Sequence, residues 1–388
     1  MHKYLLIFIS IFCNLVASAK DLPQSDTLKV TLVMADSMFV KNSLQLINTY
    51  YNINSAQGAL LQAKLWDNPQ ISYSQNFYNP NDHRILNSNG EFTSNIQQLI
   101  YLGGKRSNRI KLEKINVQSA EYDYYNTLRN LKYKLHSKFF EIYYQQKSIA
   151  IYDEEISTLK KLVEVFSVQY EKGNISLKET TRLKAMLFTL QNEYIDLINK
   201  IKDDQTELCN LLSIKHIYVV PEIDDTKYEK MKIDTLKYNY LSQIADSFRF
   251  DNKIVENAVK WGETNLKLQK SLIVPDIILG AGFDKYNSGY PNYNAMTVQM
   301  SLPFFNRNQG NIKMADVTYK QSQNEYQQFK IELENEVVAA LYKAQTADEL
   351  YQQLDKHMNN DFNLLIEGIR FGFVYKLHLP FLYFLDSG

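Results

Sequence analysis

Glycine and proline are scarce in this chain, 13 and 8 among 388 residues. Both interrupt regular structure, so their scarcity argues against a loop-rich fold and for long elements. Net charge is missing as well: Lys+Arg and Asp+Glu are 43 each. A nucleic-acid surface usually needs a basic excess, so no nucleic-acid partner is expected. Cysteine occurs twice. Cys13 lies in an apolar leader whose removal leaves Cys209 alone, which excludes an intramolecular disulfide in the mature chain. Beyond the leader there is no apolar run of the roughly 18 residues that a membrane helix needs, so any membrane passage falls to strands. G-x-S-x-G, H-E-x-x-H and C-x-x-C are absent. His83, His136, His216, His357 and His378 are scattered, and His357 with Asp361 one turn away is too few ligands for a metal site. No enzyme, cofactor or metal is expected.

What is present begins with a secretory signal over residues 1–19. His2 and Lys3 open it, Tyr4 to Val16 is apolar, and Ala17-Ser18-Ala19 is a small-residue cleavage site. Ile11-Phe12 stand before Cys13 where lipid attachment would want a small residue. Tyrosine is abundant at 28, and aromatics are 13% of the chain, a composition that suits both cores and membrane girdles.

Residues 20–30 are polar and extended. From Thr31 to Trp66 the pattern is helical, with Ala56, Ala59 and Ala63 on one face, and Asn68-Pro69 ends the helix. Then the period changes to two. Ile71, Tyr73, Gln75 and Phe77 form one alternating set, and Phe92, Ser94, Ile96, Gln98 and Ile100 a second, with a polar loop between them. Each run has the length of a tilted transmembrane strand, although an ordinary soluble hairpin alternates too. Gly103-Gly104-Lys105-Arg106 lacks the first Gly of a phosphate loop and reads instead as a strand-to-helix elbow.

From Arg106 to Tyr170 there is neither Pro nor Gly, which allows one helix of roughly 100 Å. Tyr152, Ile156, Leu159, Val163, Phe166 and Tyr170 step by four and three along it, as do Leu183, Leu187, Leu190, Tyr194, Leu197 and Ile201 further on. These are coiled-coil seams. Between them Gly173 can end one helix in the left-handed conformation, and Ser176 with Glu179 has the spacing of a capping box that starts the next. The turn is thus a sharp helical hairpin. Residues 213–231 read as an irregular connector, followed by a short helix near Thr235–Phe248 and a longer one to Ser271.

The second half restates the first at an offset of about 200 positions. Val274-Pro275-Asp276 answers Asn68-Pro69-Gln70. Ile277, Leu279, Ala281 and Phe283 form one strand face, and Met296, Val298, Met300 and Leu302 the next. A long helix follows, with a seam at Leu333, Val337, Ala340, Ala344, Ala347, Tyr351, Leu354 and Met358. The expected organisation is signal peptide 1–19, first repeat 20–213, connector 214–231 and second repeat 232–388. Four membrane strands leave open edges that lipid does not tolerate, and bacterial barrels need eight or more, so copies of the chain must share one barrel.

These pieces together resemble the TolC-like outer-membrane efflux factors over nearly the whole mature length. The matching residues are Asn68-Pro69, Gly103-Gly104-Lys105-Arg106, Tyr170-x-x-Gly173-x-x-Ser176-x-x-Glu179, then Leu241, Ala245, Arg249, Asp251 and Pro275-Asp276. The resemblance implies a mainly α fold with a membrane β-barrel portion, in which duplicated β-hairpins and long coiled-coil helices build a trimeric barrel on a periplasmic α-helical tunnel. It implies a passive conduit in the outer membrane with a periplasmic extension, contacting lipid and working with a periplasmic adaptor and an inner-membrane efflux pump. Adaptor docking would fall to Lys172, Gly173, Asn174, Ile175, Ser176, Glu179 and Arg182. Simple helix capping is the competing role for Gly173, Ser176 and Glu179. The form of this tip is similar to members paired with metal-cation efflux pumps. Residues 371–388 stand where the family has a second tip. They carry Pro380, lack a clear Gly-x-x-Ser, and leave Asp386 as the acidic residue at the tunnel entrance, so a C-terminally truncated copy is expected. An exported periplasmic coiled-coil protein without a barrel would explain the heptads but not the four alternating segments.

Overall fold

The computed structural model describes residues 26–79, 83–85, 92–215, 217–224, 236–286 and 290–353. The leader with Cys13, His216, the seam positions Leu354 and Met358, His357 with Asp361, and the closing stretch with His378 and Asp386 lie outside the described residues. In chain order the elements are β1 (Asp26–Thr31), α1 (Leu32–Asn42), α2 (Leu44–Lys64), β2 (Gln70–Gln75), β3 (Tyr78–Asn79), β4 (Arg84–Ile85), β5 (Phe92–Ile100), α3 (Lys105–Glu171), α4 (Leu177–Leu212), β6 (Ile217–Glu222), α5 (Tyr238–Phe248), α6 (Phe250–Ser271), β7 (Ile277–Tyr286), β8 (Pro291–Met300) and α7 (Gln309–Gln353). They gather into two compact units. Of the described residues, one holds those within 45–129 and 237–339; the other holds those within 26–44, 130–236 and 340–353.

The first unit is organised by a four-stranded antiparallel sheet of order β2-β5-β7-β8. The hairpins of the two halves therefore lie side by side, with β2 and β8 as open edges. Each hairpin continues into a helix through an elbow. At the first, Gly103 and Gly104 have φ of +66° and +75°, the left-handed region that favours glycine. A Cβ on Gly103 would also stand 2.8 Å from Cβ of Val274, which excludes any larger residue. Lys105 opens α3 almost fully buried, and its Nζ meets Oδ1 of Asp276 at 2.7 Å. The same carboxylate oxygen accepts the Leu102 amide at 3.1 Å. In the helical part, Asn257 on α6 donates to the Ile115 carbonyl and to Ser119 Oγ on α3. Asp251 takes Arg129 and Arg249 together, and Arg249 reaches on to Glu336 of α7.

The second unit has its core where α1, α3, α4 and a small sheet meet. Leu135, Phe139, Phe140, Ile142, Leu208 and Leu212 are buried there, each contributing about 1.5–3 kcal/mol by leaving water. The small sheet pairs β1 with β6 in parallel, with Val30 and Val219 fully buried. Gln205 on α4 closes the free edge of β6, its amide both donating to and accepting from the Val219 backbone. Lys138 on α3 sits among Glu141, Asp204 and Glu207. Asp36 on α1 meets Lys132 and His136.

Two sequence expectations are corrected. The stretch 213–231, expected to be irregular, contains β6, whose partner strand lies nearly the whole first half of the chain away. The single helix expected from Thr31 to Trp66 breaks at Ser43, where ψ of 107° is extended; its second part ends at Lys64. Phe39 and Ser43 are buried at the break, so packing and not local propensity sets it.

Candidate functional site

Because strand side chains alternate, the register sorts the sheet into two faces. Ile71, Ile96, Ala281 and Met296 lie in one row across all four strands; Leu279 with Val298 and Ile277 with Met300 extend the same face. This face is exposed and apolar: Met296 is 92% accessible, Ile71 76% and Val298 70%. Towards the loop end, Tyr73, Phe92 and Phe283 form a ladder with ring centroids 5.8 and 5.6 Å apart. Lys285 stands over the Phe92 ring. Transmembrane barrel strands carry an apolar band edged by aromatics of this kind.

The opposite face is polar. Gln70, Gln97, Gly280 and Thr297 make one row, and Ser72, Asn95, Gly282 and Ala295 the next. A Cβ on Gly280 would collide with Thr297 Oγ1, and one on Gly282 with Asn95 Oδ1. The hydroxyl and amide therefore lie flat across the glycines, and the polar wall has low relief. Across β2, β5, β7 and β8 the only charged residues are Asp284 and Lys285. Alternation puts Asp284 on the polar face beside Thr93 and Tyr293.

In the other unit, α3 ends and α4 begins at a turn closed at both ends. Gly173 has φ of +77°. Its amide donates to the Tyr170 carbonyl, and the Asn174 amide to the Gln169 carbonyl, both at 2.9 Å. This is a Schellman cap. Ser176 caps α4 reciprocally: the Glu179 amide donates to Ser176 Oγ at 3.3 Å, and Glu179 Oε2 accepts the Ser176 amide at 3.2 Å. Thr180, the next residue, is buried. Lys172, Gly173, Asn174, Ser176, Glu179 and Arg182 are exposed, while Ile175 is half-buried. Of the seven tip residues expected from the sequence, Lys172 to Ser176 form the turn and Glu179 and Arg182 lie in the first two turns of α4; Asp386 is outside the described residues. Ile156 and Leu159 of the α3 seam are buried, as is Ile201 of the α4 seam.

Lys105, Asp276, Arg249 and Asp251 are among the residues that carry the family resemblance, with no contact between them evident in the sequence. The structure brings them together as two ion-paired joints. The Arg249–Asp251 spacing was a local signal for one pair. Nothing local pointed to Arg129 as the second cation on Asp251. Burial opposes ionisation of Asp251, but hydrogen bonds and charge from Arg249 and Arg129 outweigh it and hold the carboxyl down at about 2. Among the described residues no group of three His, Cys, Asp or Glu could hold a metal ion, and no helix is long and apolar enough to cross a membrane.

A four-stranded antiparallel sheet with one apolar and one polar face, leading through the Gly103-Gly104 elbow into a long helix, is the class of subunit from which strand-built membrane channels with helical extensions are assembled. Residues 37–213 and 255–360 match the family model described as outer membrane efflux protein, and the chain belongs to that family. No curated protein sequence matches it. Among solved structures it is similar in fold to a membrane protein from Pseudomonas aeruginosa, with 13% identity, 90% of this chain and 88% of that chain covered, and a TM-score of 0.67. CusC is similar at 16% identity, 94% and 91% coverage and a TM-score of 0.66. The outer membrane protein VceC of Vibrio cholerae gives 14%, 91%, 95% and 0.63. The protein is a TolC-like channel component of a tripartite efflux system, located in the outer membrane with a periplasmic helical portion. Channels of this family are homotrimers that work with an adaptor and an inner-membrane pump. The family is one of transport proteins. The barrel-free coiled-coil reading is thereby set aside.

Proposed function

We propose that three copies of this chain close one barrel by pairing the β8 edge of each copy with the β2 edge of the next. The observation that carries this is the sheet itself: open at β2 and β8, with the exposed apolar row Ile71, Ile96, Ala281 and Met296 running across one face of all four strands. Strand direction alternates from β2 to β8, so β8 against a neighbouring β2 continues the antiparallel pattern. Four strands from each of three copies make twelve. Closure removes unsatisfied edge groups that lipid cannot hydrate. The apolar face then contacts outer-membrane lipid, the amide- and hydroxyl-lined face encloses the conduit, and solute passage requires no catalytic group. Two successive repeats, 20–213 and 232–388, supply two strands each.

The Gly173 tip is the docking point for the periplasmic adaptor. Both helix ends there satisfy their own backbone groups, so the exposed Lys172, Asn174, Ser176, Glu179 and Arg182 are held in one geometry for a partner, with Gly173 leaving the crest bare and Ile175 seated beneath it. A photo-crosslinking residue at Asn174 should trap the adaptor in cells, while the same residue at the lipid-facing Val298 should not. Equal trapping at both positions contradicts the docking assignment.

A further inference from the structure

The elbow after β8 carries three large apolar side chains that the single chain leaves exposed. Leu302 is 58% exposed, Phe304 67% and Phe305 96%. The elbow is nonetheless ordered by its own hydrogen bonds. The Phe304 amide donates to the Leu302 carbonyl, Gln309 Nε2 to the Phe305 carbonyl, and Asn308 Nδ2 to both the backbone and side-chain oxygens of Gln269. A phenyl ring held out by a fixed turn is a surface waiting for cover.

A second such surface lies at the other edge of the sheet. Leu65 and Trp66, just before β2, are 52% and 58% exposed. Arg106 sits 4.5 Å over the Trp66 ring and donates to the Lys64 carbonyl, which fixes the indole with one face covered by its own chain. Gln70 at the start of β2 and Thr297 near the end of β8 share one row of the sheet, so both surfaces lie at the same end of it. Within one chain they are at opposite edges. Where β8 of one copy meets β2 of the next, they become neighbours.

We infer that Phe305 packs on Trp66 of the neighbouring copy, an aromatic clasp that continues the barrel seam past the last strand pair. This rests on the trimeric closure above. The occupant is a second copy because the two patches flank the same seam and, among the described residues, each is left more than half exposed. Lipid is the competing occupant, and the test separates the two.

The experiment uses the full-length chain in detergent and in vesicles. In a Cys209→Ser background, Trp66→Cys with Phe305→Cys should give disulfide-linked multimers on mild oxidation, and either cysteine alone should not. In a Trp261→Phe background Trp66 is the only tryptophan, and Phe305→Ala should shift its emission to the red and raise acrylamide quenching several-fold while the trimer persists. A trimer with an unreactive cysteine pair and unchanged Trp66 emission overturns the clasp alone. Strong quenching of Trp66 by brominated lipid also overturns it, in favour of a lipid contact. A monomeric protein overturns both the clasp and the trimer.

Discussion

Lys105 Nζ lies 2.7 Å from Asp276 Oδ1, and with the Leu102 amide on the same oxygen this contact ties the elbow after the first β-hairpin to the start of the second. Lys105 is only 5% exposed. Removing the charge of its partner leaves a buried ammonium unpaired, which costs about 3 kcal/mol or more. Asp276→Asn should therefore lower the melting temperature of the detergent-extracted protein markedly. Lys105→Met combined with Asp276→Asn should recover most of the loss, since the pair and not either residue is needed. A double variant as unstable as the single one would contradict this.

Asp251 gives a pH signature. Its carboxyl is held at about 2 by Arg249 and Arg129 despite burial, against about 3.9 for an unfolded aspartate. A lowered folded-state pKa stabilises above the unfolded value and is lost as pH falls through the folded one. The contribution, about 2 kcal/mol, is full above pH ~4 and vanishes towards pH ~2. Thermal melts should show a steeper acid decline for the parent protein than for Asp251→Asn, which should be less stable at neutral pH and flatter below pH ~4.

At the hairpin tip, capping and docking can be pulled apart. Gly173 is left-handed, and a Cβ there would meet nothing within 4 Å. Asn tolerates this conformation better than other side chains. Gly173→Asn should keep the Schellman turn within about 1 kcal/mol yet place a side chain on the bare crest, so efflux should fall while melting stays near that of the parent. Ser176→Ala removes the capping box and should cost about 1 kcal/mol. Full efflux from Gly173→Asn would assign the tip to capping alone.

The conduit's charge selectivity is also accessible. Asp284 is the one carboxylate that the four strands put on the polar face, surrounded by amides, hydroxyls and glycine. Three copies place three carboxylates at the loop end of an otherwise uncharged wall. Asp284→Asn should reduce cation preference, read as a shift of the reversal potential of a planar bilayer under a KCl gradient, with the conductance little changed. An unmoved reversal potential would assign selectivity to the helical part.

Features with local causes were legible in the sequence. The Gly103-Gly104 elbow, the Gly173 cap and the Ser176–Glu179 box are each set by residues within a few positions of one another. The two-residue period marks the alternating set within each strand, because strand geometry leaves no other choice; that Ile71, Ile96, Leu279 and Val298 share one face follows from the register between strands. Features that depend on distant partners were not legible. β6 looked irregular because Pro221 and its charged surroundings obscure a strand that exists only against Asp26–Thr31. The break at Ser43 follows from the packing of Phe39, which no local rule announces. Arg129, in the middle of a long helix, has no sequence mark that distinguishes it from other cations; its pairing with Asp251, brought from the second half, shows only in the structure.

The most direct test of the whole account is the mass of the detergent-extracted particle by native mass spectrometry. Edge-to-edge closure of three open sheets predicts a particle of three chains that survives extraction intact. A population of single chains, extracted without loss of the sheet, would contradict it.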